Sequence, residues 1–112
     1  MVKNLDKYNL DNLYSDLLEK QDKNISSSYT VFLLQNKKLL AKKIGEEATE
    51  VLIEFVGESK KNLISESADL LYHLSVMWLS MKISPNDVWK ELHRRKNVSG
   101  FTEKINRSKD EI

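Results

Sequence analysis

Six carboxylates, two lysines and a histidine fall in two neighbouring stretches of the chain at spacings that suit hydrolytic or metal chemistry. Lys42 and Lys43 precede Glu46, Glu47, Glu50 and Glu54, and Glu66, Asp69 and His73 follow at intervals of three and four. At ~100° per residue of a helix, Lys43, Glu47, Glu50 and Glu54 share a sector about 60° wide, with Glu46 on its edge. That sector adjoins the apolar positions Ile44, Ala48, Val51 and Phe55, so the acids border a core. Glu66, Asp69 and His73 share one face of the next helix, where almost everything around them is apolar. An ionised carboxylate in such surroundings is strongly disfavoured unless compensated, and two on one face repel each other besides.

The compensating charge could be lysine or arginine, a shared proton, or a divalent cation. If the two helices pack antiparallel across a turn at Gly57, both acidic faces converge on one site. Four carboxylates without cysteine form a hard, all-oxygen donor set that suits Mg²⁺, with Mn²⁺ as a substitute, better than zinc. Mg²⁺ keeps waters and is commonly completed by substrate phosphates, which anticipates a phosphoanhydride substrate. Lys42 and Lys43, one turn before the acids, would meet those phosphates as point charges. A plainer alternative is a solvated helix face on which Glu46, Glu47, Glu50 and Glu54 pair with Lys42, Lys43 and Lys60. His73 fits a satisfied core or supporting histidine better than a metal ligand. Arg94-Arg95-Lys96 suits the C-terminal end of a helix dipole, or could close over phosphates bound by a partner subunit.

The elements that must position these groups are helical. Three glycines and one proline in 112 residues favour long helices over a turn-rich β fold. Leu10, Leu13, Tyr14, Leu17 and Leu18 predict a first helix over about 6–20 and a polar loop over 21–28, with Ser28 as an N-cap. A short helix from Tyr29 then bends near Asn36 into a longer one that ends near Gly57. Residues 61–82 are apolar on nearly the whole helical circumference. That pattern predicts a central position in a bundle, shared with a second subunit. Ser84, Pro85 and Asp87 open a last helix anchored by Val88, Trp89 and Leu92. Tyr14 and Trp78 read as core, and His93 as exposed. Beyond Asn97 the pattern fades into a polar tail, with residues from about 101 outside the core.

Composition sets the outer bounds. Hydrophobic residues make up 40% and charged residues 31%, enough apolar material for a compact fold. Eighteen basic residues against seventeen acidic ones leave a formal charge of +1, so no global charge argues for nucleic acid or a membrane surface. The absence of cysteine excludes a disulfide framework and fits a cytoplasmic setting. The polar opening MVKNLDKYNL has no signal-peptide character. One domain over 1–112 is the expectation.

Three blocks carry a family resemblance. Ser28-Tyr29-Thr30, Lys43-Ile44-Gly45-Glu46-Glu47-Ala48-Thr49-Glu50 and Glu66-Ser67-Ala68-Asp69-Leu70-Leu71-Tyr72-His73 resemble phosphoribosyl-ATP pyrophosphohydrolase of histidine biosynthesis. The likeness runs from about Leu10 to Arg95. E-x-x-E with E-x-x-D alone would indicate only the wider all-α NTP pyrophosphatase superfamily, which includes MazG and dimeric dUTPases. The resemblance implies an all-α, MazG-like helical bundle and a homodimer or higher assembly that completes a four-helix core. It also implies Mg²⁺-dependent hydrolysis of phosphoribosyl-ATP to phosphoribosyl-AMP and pyrophosphate. Position by position it implies metal ligands at Glu47, Glu50, Glu66 and Asp69, with Glu46 or Glu47 orienting the attacking water. The substrate-facing set becomes Lys42, Lys43, Tyr29, Thr30, His73, Arg94 and Arg95.

Many relatives carry a fused phosphoribosyl-AMP cyclohydrolase, for which 112 residues leave no room. That enzyme is therefore expected as a separate chain. Two other functions fit parts of the pattern. A MazG-like house-cleaning pyrophosphatase of free nucleoside triphosphates would use the same acids. A non-enzymatic helical dimerisation module would leave Glu66 and Asp69 without a purpose.

Overall fold

The computed structural model describes residues 7–24, 28–96 and 104–107, and among them all regular structure is helical. Five helices follow in order: α1 (Leu10–Lys23), α2 (Tyr29–Leu34), α3 (Lys37–Val56), α4 (Lys60–Ser80) and α5 (Pro85–Arg95). This all-α bundle is the expected fold class. A further helical turn covers residues 104–107. The rest of the polar tail predicted beyond Asn97 lies outside the described residues.

Helix ends follow local chemistry. The first helix starts and stops a few residues later than its apolar spacing predicts. Asn9 and Asn12 form a reciprocal capping box, each side chain accepting from the other's backbone N–H, and this fixes the start at Leu10. Asn24, in the left-handed region at φ 47°, closes the helix after Lys23, so the first three residues of the expected loop are helical. Ser28 caps α2 as predicted, its hydroxyl accepting from the Val31 N–H. Ser84 and Asp87 make a second capping box at α5, with Pro85 in the first turn.

α3 and α4 form an antiparallel hairpin whose turn is Gly57-Glu58-Ser59. Gly57 ends α3, yet it stays right-handed at φ −75°. The left-handed residue is Glu58, at φ 58°. Gly57 is needed for space: a Cβ there would lie 3.3 Å from the Ile53 carbonyl oxygen. Ser59 then caps α4, accepting from the Asn62 N–H. Asn62 donates across the hairpin to Glu54 at 3.4 Å, which sets the register at the turn end.

The core gathers at the other end of the hairpin. Leu17 of α1, Leu33 of α2, Leu40 of α3, and Val76 and Leu79 of α4 are buried together. Leu13, Tyr14, Ile44, Tyr72 and Met77 pack against them. Thus α1 and α2 cover only the half of the hairpin made by the start of α3 and the end of α4. The turn half lacks such cover: Phe55, Val56 and Ile64 are 65%, 79% and 72% exposed, and Leu52 and Ile53 are exposed beside them. Phe55 was expected on the core-side face of its helix. It is exposed because, among the described residues, no other helix packs over this end of the hairpin.

α5 packs on α1 and buries only Pro85 well, with Val88 half-buried. Trp89 and Leu92, expected as anchors, are exposed, because among the described helices α5 packs chiefly on α1. Trp78 is half-buried and His93 exposed. No described helix is long and apolar enough to cross a membrane.

Candidate active site

The acids meet midway along the hairpin, where the buried half gives way to the uncovered half. The register set by Glu54 and Asn62 carries Glu50 beside Glu66 and Glu47 beside Asp69, each roughly one turn of helix further on. Glu47, Glu66 and Asp69 each present a carboxylate oxygen within 4.8 Å of the others. Glu47 and Glu66 are half-buried and Asp69 is exposed. Burial pushes the Glu47 carboxyl above its usual range, aided by the charges of Asp69 and Glu50 and partly offset by His73 and Lys43.

Glu66 is the most perturbed of the set. The Glu50 carboxyl beside it is close enough to share a proton. This contact, with desolvation and the charges of Glu50, Asp69 and Glu47, pushes the Glu66 carboxyl up to about 7. Its Oε2 is buried and has no hydrogen-bond partner among the described residues. A buried, unpartnered carboxylate oxygen facing two other carboxylates fits a bound cation, which would satisfy the orphaned atom and relieve the mutual repulsion. All donors are carboxylates, a hard set suited to Mg²⁺ or Mn²⁺. Among the described residues, no ion pair joins Glu46, Glu47, Glu50 or Glu54 to Lys42, Lys43 or Lys60. Glu46 and Glu50 are solvent-exposed, as a solvated face would have them, whereas Glu47 and Glu66 are half-buried.

The remaining sequence-selected residues divide into three groups. Lys42, Glu46 and Glu50 line a shallow groove of about 500 Å³ on the outer side of α3, with Gly45, Thr49 and Ile53. Glu46 thus faces a different direction from Glu47 and stands outside the close acidic cluster, whereas Glu50 borders both. Lys43 is half-buried near Glu47. Arg94 and Arg95 sit on α5, where both guanidinium groups bond the Glu91 carboxylate, at 2.7 and 2.9 Å. Among the described residues, the ion pairs of Arg94 and Arg95 are with Glu91 and not with the clustered acids.

Tyr29, Thr30 and His73 form a connected group behind the cluster. His73 is only 6% exposed. Its Nδ1 lies 2.8 Å from the Asp69 carbonyl oxygen and 3.5 Å from Glu47 Oε1, and its Nε2 lies 3.1 Å from the Tyr29 hydroxyl. Thr30 is fully buried and bonds the Tyr72 hydroxyl at 2.6 Å. Tyr72 stands beside His73 in the third block of the resemblance, which assigns it no role of its own; only the packing of α2 against α4 reveals its partner.

The family model described as Phosphoribosyl-ATP pyrophosphohydrolase matches residues 10–96, all five helices and every acid of the site. The chain belongs to the phosphoribosyl-ATP pyrophosphohydrolase family. A phosphoribosyl-ATP pyrophosphatase of Gluconobacter oxydans is 44% identical over 104 residues, covering 92% of this chain and 78% of the relative. Phosphoribosyl-ATP pyrophosphatase 2 of Rhodopseudomonas palustris is 44% identical over 101 residues, covering 89% and 77%. The phosphoribosyl-ATP pyrophosphatase of Sulfurisphaera tokodaii is 46% identical over 87 residues, covering 77% of this chain and 93% of the relative. Membership makes the chain a phosphoanhydride hydrolase of the histidine-biosynthesis family, with the all-α, MazG-like fold.

Proposed function

We propose that the chain hydrolyses phosphoribosyl-ATP between its α and β phosphates, at a Mg²⁺ site made by Glu47, Glu50, Glu66 and Asp69, with Mn²⁺ able to replace Mg²⁺. The observation that carries this reading is the convergence of three carboxylates within 4.8 Å, one of which, Glu66, has a buried oxygen without a hydrogen-bond partner among the described residues. When bound, the cation supplies neutralisation of the highly charged pyrophosphate leaving group and makes water more acidic.

The chain's own residues account for the rest. Glu47, Glu66 and Asp69 hold the ion, and Glu50, bordering both cluster and groove, completes the set from the substrate side. Glu47, whose carboxyl is already more basic than usual, or Glu46 in the groove, takes the proton of the attacking water. Lys42 and Lys43 draw the phosphates along the outer side of α3 as point charges. Thr30, buried against the Tyr72 hydroxyl, and Tyr29, bonded to His73, brace the α2 side of the acidic cluster from behind.

The uncovered apolar half of the hairpin supports a homodimer whose second hairpin would complete a four-helix core. Leu52, Phe55, Val56 and Ile64 would be buried there, and a partner's α5 could bring Arg94 and Arg95 toward the phosphates. We assign the chain, 1–112, to a single catalytic domain acting in the cytoplasm, with the tail from about 101 outside its core.

The test is pyrophosphate release from phosphoribosyl-ATP and from a panel of NTPs and dNTPs, with Mg²⁺ and then with EDTA. Metal-dependent release from phosphoribosyl-ATP in preference to the panel is the expected result. Release mainly from free triphosphates would move the chain to a house-cleaning role. The same preparation, run through sedimentation equilibrium, reports the dimer.

A further inference from the structure

We infer that Tyr29 and His73 act as positioning residues for the metal ligand Glu47, rather than as contacts to the substrate. The inference rests on the metal-site reading above and concerns how the apo chain holds that site in shape.

His73 is held at both ring nitrogens. The Asp69 carbonyl oxygen can only accept, so Nδ1 carries a hydrogen, and this same N–H faces Glu47 Oε1 at 3.5 Å. At the other edge of the ring, Nε2 meets the Tyr29 hydroxyl at 3.1 Å, a bond that holds the ring whichever atom supplies the hydrogen. A ring bonded at one nitrogen can pivot or flip; one bonded at both cannot. Tyr29 therefore fixes which edge of the imidazole meets the ligand carboxylate. Ligands to metals are commonly oriented in this way by groups behind them.

The surroundings are built to keep Tyr29 in place. Its ring stacks on Tyr72 at 6.1 Å with planes 12° apart, and both rings meet His73 edge-on at 5.9 and 5.2 Å. Thr30 ties the same turn of α2 to α4 through the Tyr72 hydroxyl. His73 is buried with both ring nitrogens engaged inside the protein, and the Tyr29 hydroxyl, though the residue is 46% exposed, is turned to His73.

The test measures Mn²⁺ affinity by electron paramagnetic resonance on the whole chain without substrate, beside melting temperature in EDTA. Tyr29→Phe keeps the ring stack and removes one hydroxyl; it is expected to weaken Mn²⁺ binding about ten-fold, the lower end of what such supporting groups contribute. His73→Asn places an amide near the Nδ1 position, whereas His73→Gln places one near Nε2. Asn is therefore expected to retain most of the affinity and Gln to lose it. Unchanged Mn²⁺ affinity in Tyr29→Phe would overturn the inference, as would Gln tolerated better than Asn. A raised KM for phosphoribosyl-ATP at unchanged metal affinity would also overturn it, and return Tyr29 to the substrate. Failure of the unmutated chain to bind Mn²⁺ would instead overturn the metal-site reading beneath it.

Discussion

Lowering the pH should weaken metal binding over a range where ordinary glutamates do not titrate. Glu66 must be ionised to hold a cation, and in the metal-free chain its carboxyl is pushed up to about 7 by Glu50, burial and its acidic neighbours. With that value about ten Glu66 side chains are ionised for each protonated one at pH 8, and about one for ten at pH 6. Apparent affinity follows the ionised fraction, so Mn²⁺ should bind about ten-fold more weakly at pH 6 than at pH 8. About half a proton should be released per ion bound at pH 7. A glutamate at its usual value would change by only a few per cent over the same interval.

Isothermal titration calorimetry in buffers of different ionisation enthalpy reads both quantities, and Glu66→Gln should abolish the proton release. The metal-free chain gives an independent sign. A carboxyl raised on folding favours the folded state only while it stays protonated. Stability in EDTA should therefore fall as pH rises from about 4.5 through about 7. An affinity flat between pH 6 and 8, with no proton released at pH 7, would refute the assignment of Glu66 as the perturbed ligand.

Three further outcomes are expected. Glu50→Gln and Asp69→Asn should abolish pyrophosphate release and the metal-induced rise in melting temperature while leaving the helical circular dichroism intact; normal turnover in either would remove that residue from the site. Leu33→Ala, at a fully buried position between α1, α3 and α4, should cost about 2–5 kcal/mol in urea unfolding, compared at matched protein concentration. A loss under ~1 kcal/mol would mean that α2 is not a structural keystone. Glu91, held down to about 2 chiefly by Arg94 and Arg95, stabilises the end of α5 above the usual carboxylate range and loses that contribution as pH falls through about 2. The melting difference between the natural chain and Glu91→Gln should thus be present at pH 7 and vanish near pH 2, and should shrink with added salt.

Much of this protein was legible in the residues themselves. Spacing placed Glu47 and Glu50 on one helix and Glu66 and Asp69 on the next, because helical periodicity fixes which side chains share a face. The scarcity of glycine and proline dictated an all-α chain, and serines 28 and 84 marked helix starts, because capping depends on a few adjacent atoms. The blocks around Tyr29, Glu47 and Asp69 were specific enough to indicate the family.

Only the tertiary structure decided which acids actually meet. One-dimensional spacing gave Glu46, Glu47, Glu50 and Glu54 nearly equal claims. The hairpin register placed Glu47 in the cluster, set Glu50 against Glu66, gave Glu54 to Asn62 and turned Glu46 into the groove. The unpartnered Glu66 oxygen and the Tyr29–His73–Glu47 connection join residues far apart in sequence, so no local pattern could announce them. The exposure of Phe55, Trp89 and Leu92 was equally hidden. Apolarity says that a side chain gains by leaving water, but the reach of neighbouring helices determines whether this chain alone can cover it.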